Sequence, residues 1–254
     1  MKTLFAALHT AYFYVALAID TAILALTYTP LSRKKHTLTP DAYMSLITQR
    51  VHNWGTRQLR NTGVRIDVIG SEHIPTDQAV LYVANHQSYF DLGLFFTRIP
   101  QNKGYIAKIE AKKIPLISDY MDDLRCIYLD RGNLRQNMQT ILDGIAILKE
   151  GHSLVIFPEG TRNNEMESFK AGSFKLATKS GVPIIPVTID GAYKILPKGQ
   201  KLINARQQVT MTIHPPVPTT GLTKEAEKEL PQQIEDIVRS GFKRSEDREQ
   251  TNSN

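Results

Sequence analysis

One cysteine, Cys126, stands in a chain of 254 residues. A single thiol excludes an internal disulfide framework and a cysteine zinc cluster, and it fits a reducing compartment. Several catalytic patterns are also missing. There is no Gly-x-Ser-x-Gly elbow, no His-Glu-x-x-His, no Gly-x-x-x-x-Gly-Lys and no Gly-x-Gly-x-x-Gly, which sets aside elbow hydrolases, zinc proteases, P-loop enzymes and dinucleotide enzymes. Internal repeats and low-complexity segments are absent. Apolar residues make up 41% and the mean hydropathy is −0.27, so the chain is neither polytopic in a membrane nor disordered.

Long apolar runs are scarce too, with one exception. Residues 4–31 are almost wholly apolar, Asp20 being the only formal charge. That length exceeds the ~20 residues a helix needs to cross the hydrocarbon. Acidic charge is then nearly lacking from 32 to 65, where Asp41 faces Arg33, Lys34, Lys35, Arg50, Arg57, Arg60 and Arg65. A basic patch suits nucleic acid or an anionic membrane. The apolar run before it decides for a phospholipid membrane, with no nucleic acid as partner. Basic residues directly after the run put the remainder of the chain on the cytoplasmic face of the inner cell membrane. A span, an in-plane helix and a buried core helix all satisfy this composition, and Asp20 is costly in lipid unless it is protonated, faces a partner helix or lies in the interface. Ile47, Val51 and Trp54 recur at helical spacing, flanked by arginines, and predict an amphipathic helix over 41–61.

Beyond Gly63 short apolar runs alternate with helical stretches. Strands are expected at 64–69, 80–84, 105–107, 126–130, 154–157, 184–189 and 209–213, with a clear helix over 134–149 closed by Gly151. This is an α/β domain with a mostly parallel sheet flanked by helices. The chain divides into a hydrophobic attachment segment (1–31), a basic amphipathic helix (32–63), a catalytic domain (64–221) and a charged C-terminal helix and tail (222–254). Because the α/β pattern begins only after Gly63, the catalytic part is expected to fold without residues 1–31.

Three strand ends carry chemistry. Asn85-His86-Gln87-Ser88-Tyr89-Phe90-Asp91 follows the second strand, and a kink between His86 and Asp91 would let the carboxylate orient the imidazole. Phe157-Pro158-Glu159-Gly160-Thr161-Arg162 ends another strand, where freed amides, a hydroxyl and a guanidinium suit a phosphate. A further strand ends on Asp130-Arg131. Ligands bind at the carboxyl ends of strands in such sheets, so one site for a phosphorylated substrate accounts for all three. Cys126 reads as an inert core thiol.

Taken in order, His86-x4-Asp91, the strand ending in Arg131, Phe157-Pro158-Glu159-Gly160-Thr161-Arg162 and Val182-Pro183-Ile184-Ile185-Pro186-Val187 resemble the four blocks of the glycerolipid acyltransferases, most closely the 1-acyl-glycerol-3-phosphate acyltransferases. Phe169-Lys170-Ala171-Gly172, Lys108-Ile109-Glu110 and Lys113-Ile114-Pro115 also fit, and the likeness covers roughly residues 67–215. The chain departs at Arg125, where the family usually has glycine, at Tyr128 in place of Phe, and at Ser118, where glycine is common. The resemblance implies transfer of an acyl chain from an acyl carrier protein or coenzyme A thioester to the 2-hydroxyl of lysophosphatidic acid, with no metal and no cofactor. His86 would be the general base and Asp91 its orienting carboxylate. Arg131 and Arg162 would hold the phosphate with Thr161, the Gly160 amide and Lys108, and Glu159 would orient an arginine or the glycerol hydroxyl. Amides near the start of the His86 helix are expected to receive the developing oxyanion.

Overall fold

The structure, a computed structural model, describes residues 2–130, 132 and 134–242. In chain order its elements are α1 (Lys2–Ser32), α2 (Pro40–Thr62), β1 (Arg65–Ile69), β2 (Leu81–Ala84), α3 (Phe90–Arg98), β3 (Lys103–Lys108), α4 (Ile117–Asp123), β4 (Ile127–Leu129), α5 (Leu134–Lys149), β5 (Ser153–Ile156), α6 (Lys175–Ser180), β6 (Ile184–Asp190), β7 (Gln208–Ile213) and α7 (Lys224–Ser240). All seven expected strands form, within a residue or two of their expected ends.

The strands make one sheet in the order β1-β7-β6-β2-β5-β3-β4. Every pairing is parallel except β6 with β7. β1 and β7 therefore start at the edge where the other five strands end, since Asp190 at the end of β6 pairs with Thr210 near the start of β7. Gly191 makes the turn after β6 at φ +97, and a Cβ there would lie 2.4 Å from the Gln208 carbonyl oxygen. Only glycine allows that approach.

Successive side chains of a strand point to opposite faces, and β2 is buried on both. Tyr82 and Ala84 join the core beneath α1, α2 and α3, while Leu81 and Val83 join the core beneath α5, α6 and α7. Central parallel strands covered by helices on both sides read as continuous apolar runs for this reason. Thr39 caps α2 by accepting from the Ala42 amide, and Gly63 ends it in the left-handed region, an N-cap and C′ arrangement that satisfies orphan backbone groups.

The first helix is packed into this core rather than appended to it. Phe13 meets Phe90 edge-on, Thr10 Oγ1 accepts from the Ile203 amide, and Leu31 is buried. Phe13 and Leu31 of α1 thus belong to the core that the expectation of independent folding assigned to the rest. Asp20 faces a neighbouring helix, with Oδ1 2.6 Å from Arg57 Nε and Oδ2 2.9 Å from Gln58 Nε2, so its charge is paired within the protein. At the other end, Asp123 of α4 accepts from Tyr28 of α1 (2.9 Å), Tyr43 of α2 (2.7 Å) and Lys35 between them (2.8 Å). The opposite face of α1 exposes Leu4, Leu8, Tyr12, Val15, Ile19, Ile23 and Leu26, a stripe at three- and four-residue spacing along the helix.

Candidate active site

β2 ends on Ala84, and five residues leave the sheet before α3 begins at Phe90. The Asn85 side chain brackets Ile189, donating to its carbonyl (2.8 Å) and accepting from its amide (2.7 Å). Gln87 Oε1 accepts from the amides of Gly191 and Ala192. These long-range bonds fix the loop against the end of β6. Within it, His86 Nδ1 lies 2.7 Å from Asp91 Oδ2. Asp91 has no exposed surface, and the same oxygen accepts from the Gln87 (2.7 Å) and Ser88 (2.9 Å) amides. A buried carboxylate is costly unless hydrogen-bonded, and these donors offset the cost. A carboxylate on Nδ1 holds the proton there and leaves the lone pair on Nε2, the tautomer a base needs. Because Asp91 occupies the Gln87 and Ser88 amides, those two are not available to an oxyanion.

The end of β5 closes over the histidine. Phe157 stacks on the imidazole at 4.2 Å between centroids and 20° between planes. Glu159 is 2% exposed and bridges two backbone segments, Oε1 accepting from the His86 amide (2.7 Å) and Oε2 from that of Glu167 (2.9 Å). Burial pushes its carboxyl up to about 7, against the opposing pull of these two amides. Both oxygens thus hold backbone, where an arginine or a glycerol hydroxyl was expected. The Asn163 amide returns to the His86 carbonyl at 2.9 Å, so His86 is tied on both sides of its own peptide.

Around this pair the groups expected to bind phosphate are held more loosely. The Arg162 guanidinium lies over the Tyr89 ring at 3.4 Å, a cation–π contact to a ring that is 64% exposed. Thr161 Oγ1 accepts from Asn163 Nδ2, and Asn163 Oδ1 from Lys198 Nζ. The Gly160 amide donates to the Phe157 carbonyl (3.0 Å), so it serves the turn. Lys108 is exposed at the end of β3, on the same edge of the sheet. Arg131 lies outside the described residues. The fold brings His86, Asp91, Glu159, Gly160, Thr161 and Arg162 together. It adds Tyr89 and Phe157, both inside the motifs, and Lys198, which no sequence pattern marked. Cys126 is buried with its thiol pushed up to about 12 by desolvation, which makes it a poor nucleophile.

A carboxylate-oriented histidine at the carboxyl edge of an α/β sheet, with a guanidinium beside it, is an arrangement suited to general base catalysis on an anionic substrate. A family model described as Acyltransferase matches residues 65–190. A probable 1-acyl-sn-glycerol-3-phosphate acyltransferase of Mycoplasma pneumoniae is 30% identical, over 76% of this chain and 74% of that protein. A chloroplastic 1-acyl-sn-glycerol-3-phosphate acyltransferase of Brassica napus is 33% identical, over 60% of this chain and 45% of that one. The chain spans about half the length of the plant and algal relatives it matches. The crystal structure of the 1-acyl-sn-glycerophosphate acyltransferase PlsC from Thermotoga maritima superposes with a TM-score of 0.82 at 30% identity, over 95% of this chain and 96% of that one. The chain belongs to the 1-acyl-sn-glycerol-3-phosphate acyltransferase family.

Proposed function

We propose that the protein moves an acyl chain from a thioester to the free 2-hydroxyl of 1-acyl-glycerol-3-phosphate, giving phosphatidic acid. The observation that carries this reading is the His86 Nδ1 to Asp91 Oδ2 contact of 2.7 Å, which makes Nε2 a base without supplying a protein nucleophile. The acceptor hydroxyl is then the nucleophile. Its oxygen bonds to the thioester carbonyl carbon while Nε2 takes its proton. The tetrahedral intermediate expels the thiolate, which regains a proton from the imidazolium. Asp91 stabilises that imidazolium without being protonated. Arg162 is the principal contact to the acceptor phosphate, supported by Lys108 and Lys198, and Tyr89 sets the plane of its guanidinium. Arg131 joins them in this reading. Glu159 acts by holding the His86 peptide.

The exposed stripe of α1 is read as resting in the surface of the inner membrane, with the catalytic edge in the cytoplasm. The inner face of α1 is packed against protein from Thr10 to Leu31, which favours an in-plane helix over a span. Both acyl carrier protein and coenzyme A thioesters are candidate donors. The test is mass spectrometry of lipid products when the full chain receives lysophosphatidic acid or lysophosphatidylcholine, with either thioester. Phosphatidic acid formed from lysophosphatidic acid alone is expected. Equal acylation of lysophosphatidylcholine would overturn the assignment of a phosphomonoester acceptor.

A further inference from the structure

Because β7 and β1 run against the other strands, their starts share the catalytic edge, two and three strand positions from β2 respectively. At ~4.8 Å per strand that is roughly 10–14 Å along the sheet. There the end of α2, the turn before β7 and the outer end of α1 enclose a cavity of about 250 Å³, lined among others by His9, Tyr12, Arg60, Asn61, Ala205 and Arg206. Its lining includes no acidic residue. Neither guanidinium has a side-chain hydrogen bond or ion pair among the described residues. His9 also lines the hollow, but its Nδ1 is buried away from it, so a contact from this ring is through Nε2.

The carbonyls at this end of α2 would oppose an anion, but they are largely engaged. Thr62 Oγ1 donates to the Leu59 carbonyl, the Gly63 amide to that of Arg60, and the Arg206 amide to that of Thr62. Arg206 itself sits at φ +59, a left-handed conformation costing an L side chain roughly 1–2 kcal/mol. Phe5, beside His9 in the lining, is also exposed and neighbours the apolar stripe of α1. A basic hollow therefore opens at the rim of an apolar face.

We propose that this cavity binds the phosphate of an anionic glycerolipid headgroup, at a site separate from the acceptor's. Two planar forks and an imidazole would grip phosphate oxygens, while the lipid's chains follow the α1 stripe. Assigning a lipid rather than free phosphate rests on reading that stripe as membrane-facing. The cavity suits a headgroup, being smaller than the ~300–1,000 Å³ typical of drug-sized ligands.

The test is vesicle binding by the full chain without acyl donor, so that it is independent of turnover. Vesicles are phosphatidylcholine alone or with one part in five phosphatidylglycerol. Arg60→Gln with Arg206→Gln should weaken binding to the anionic vesicles by about 25-fold, from about fivefold per lost charge. The decisive pair is Arg60→Lys with Arg206→Lys, which keeps the charge and removes the fork. It should weaken anionic binding at least about threefold and leave neutral vesicles untouched. Displacement of wild type by inorganic phosphate, without displacement of the double Gln variant, would show that the site takes free phosphate as well. If the double Lys variant binds anionic vesicles as wild type does, only the general surface field is at work and the proposal fails. His86→Ala should bind like wild type, so loss of acyl transfer and loss of this site are separately visible.

Discussion

His86 is fixed through its ring, its amide and its carbonyl, whereas Arg162 rests on the face of one exposed tyrosine. The two halves of the site are built to different tolerances. Proton transfer depends on a base already within hydrogen-bond reach and in the correct tautomer, so its frame must stand before substrate arrives. A phosphate brings its own charge and can draw a flexible guanidinium onto itself. The rigid half is held from strand ends far apart in sequence, and the adaptable half from side chains on the loops above them.

The sharpest way to break this comparison is His86→Ala, which should lower kcat by about 10²–10⁴-fold while the acceptor KM moves little. Purified variant turning over like wild type would end the general-base reading. The next largest effect lies in the frame. Burial raises the Glu159 carboxyl to about 7 and lowers His152 to about 4. The Glu159 contribution to stability is present below its ordinary value of 4.5 and is lost as pH rises through 7. That of His152 is present above 6.5 and is lost as pH falls through 4. Each is worth on the order of 3 kcal/mol, and between pH 4.5 and 6.5 their slopes oppose. Thermal melts across that window should rise with pH in Glu159→Gln and fall with pH in His152→Gln, with wild type between. Parallel curves for all three would remove Glu159 as a titrating part of the frame.

Arg162→Ala should raise the acceptor KM by about 10–100-fold, the value of one charge-assisted phosphate contact, and leave the donor KM alone. Tyr89→Leu should raise it only about 2–5-fold, since an exposed cation–π contact is worth about 0.5–1 kcal/mol. A kcat defect in either would mean that the phosphate half also shapes the transition state. The smallest effect belongs to Arg125, at φ +57 where the family usually has glycine. Glycine adopts that backbone freely and loses only a partly exposed ion pair to Glu150, so Arg125→Gly should shift stability by at most about 1 kcal/mol. A loss of several kcal/mol would show that the side chain matters to the fold.

Legibility in the sequence depends on distance along the chain. His86 and Asp91 are five positions apart, and the strand ends show in apolar runs, so the pair and its edge of the sheet were legible. Glu159 meets the His86 amide across 73 positions, and no periodicity reports such a contact. A carboxylate inside a phosphate motif therefore invited a binding role where the fold gives it backbone to hold. The same holds for Asp20, whose partner Arg57 is 37 positions away, and for Lys198. The opposite direction of β1 and β7 was illegible because a strand's pattern records burial and not polarity.

Asp123 gathers Tyr28, Lys35 and Tyr43 onto one carboxylate, and this has a mechanical consequence. α4 cannot shift against the two N-terminal helices without parting charge-assisted bonds. The segment joining β3 to α4 begins just beyond Lys108 and passes Leu116 at φ +67, so it is clamped at one end to the sheet and at the other to those helices. Through Asp123, α1 and α2 are tied to the segment that leads back to the end of β3 and so to the edge of the sheet that carries His86.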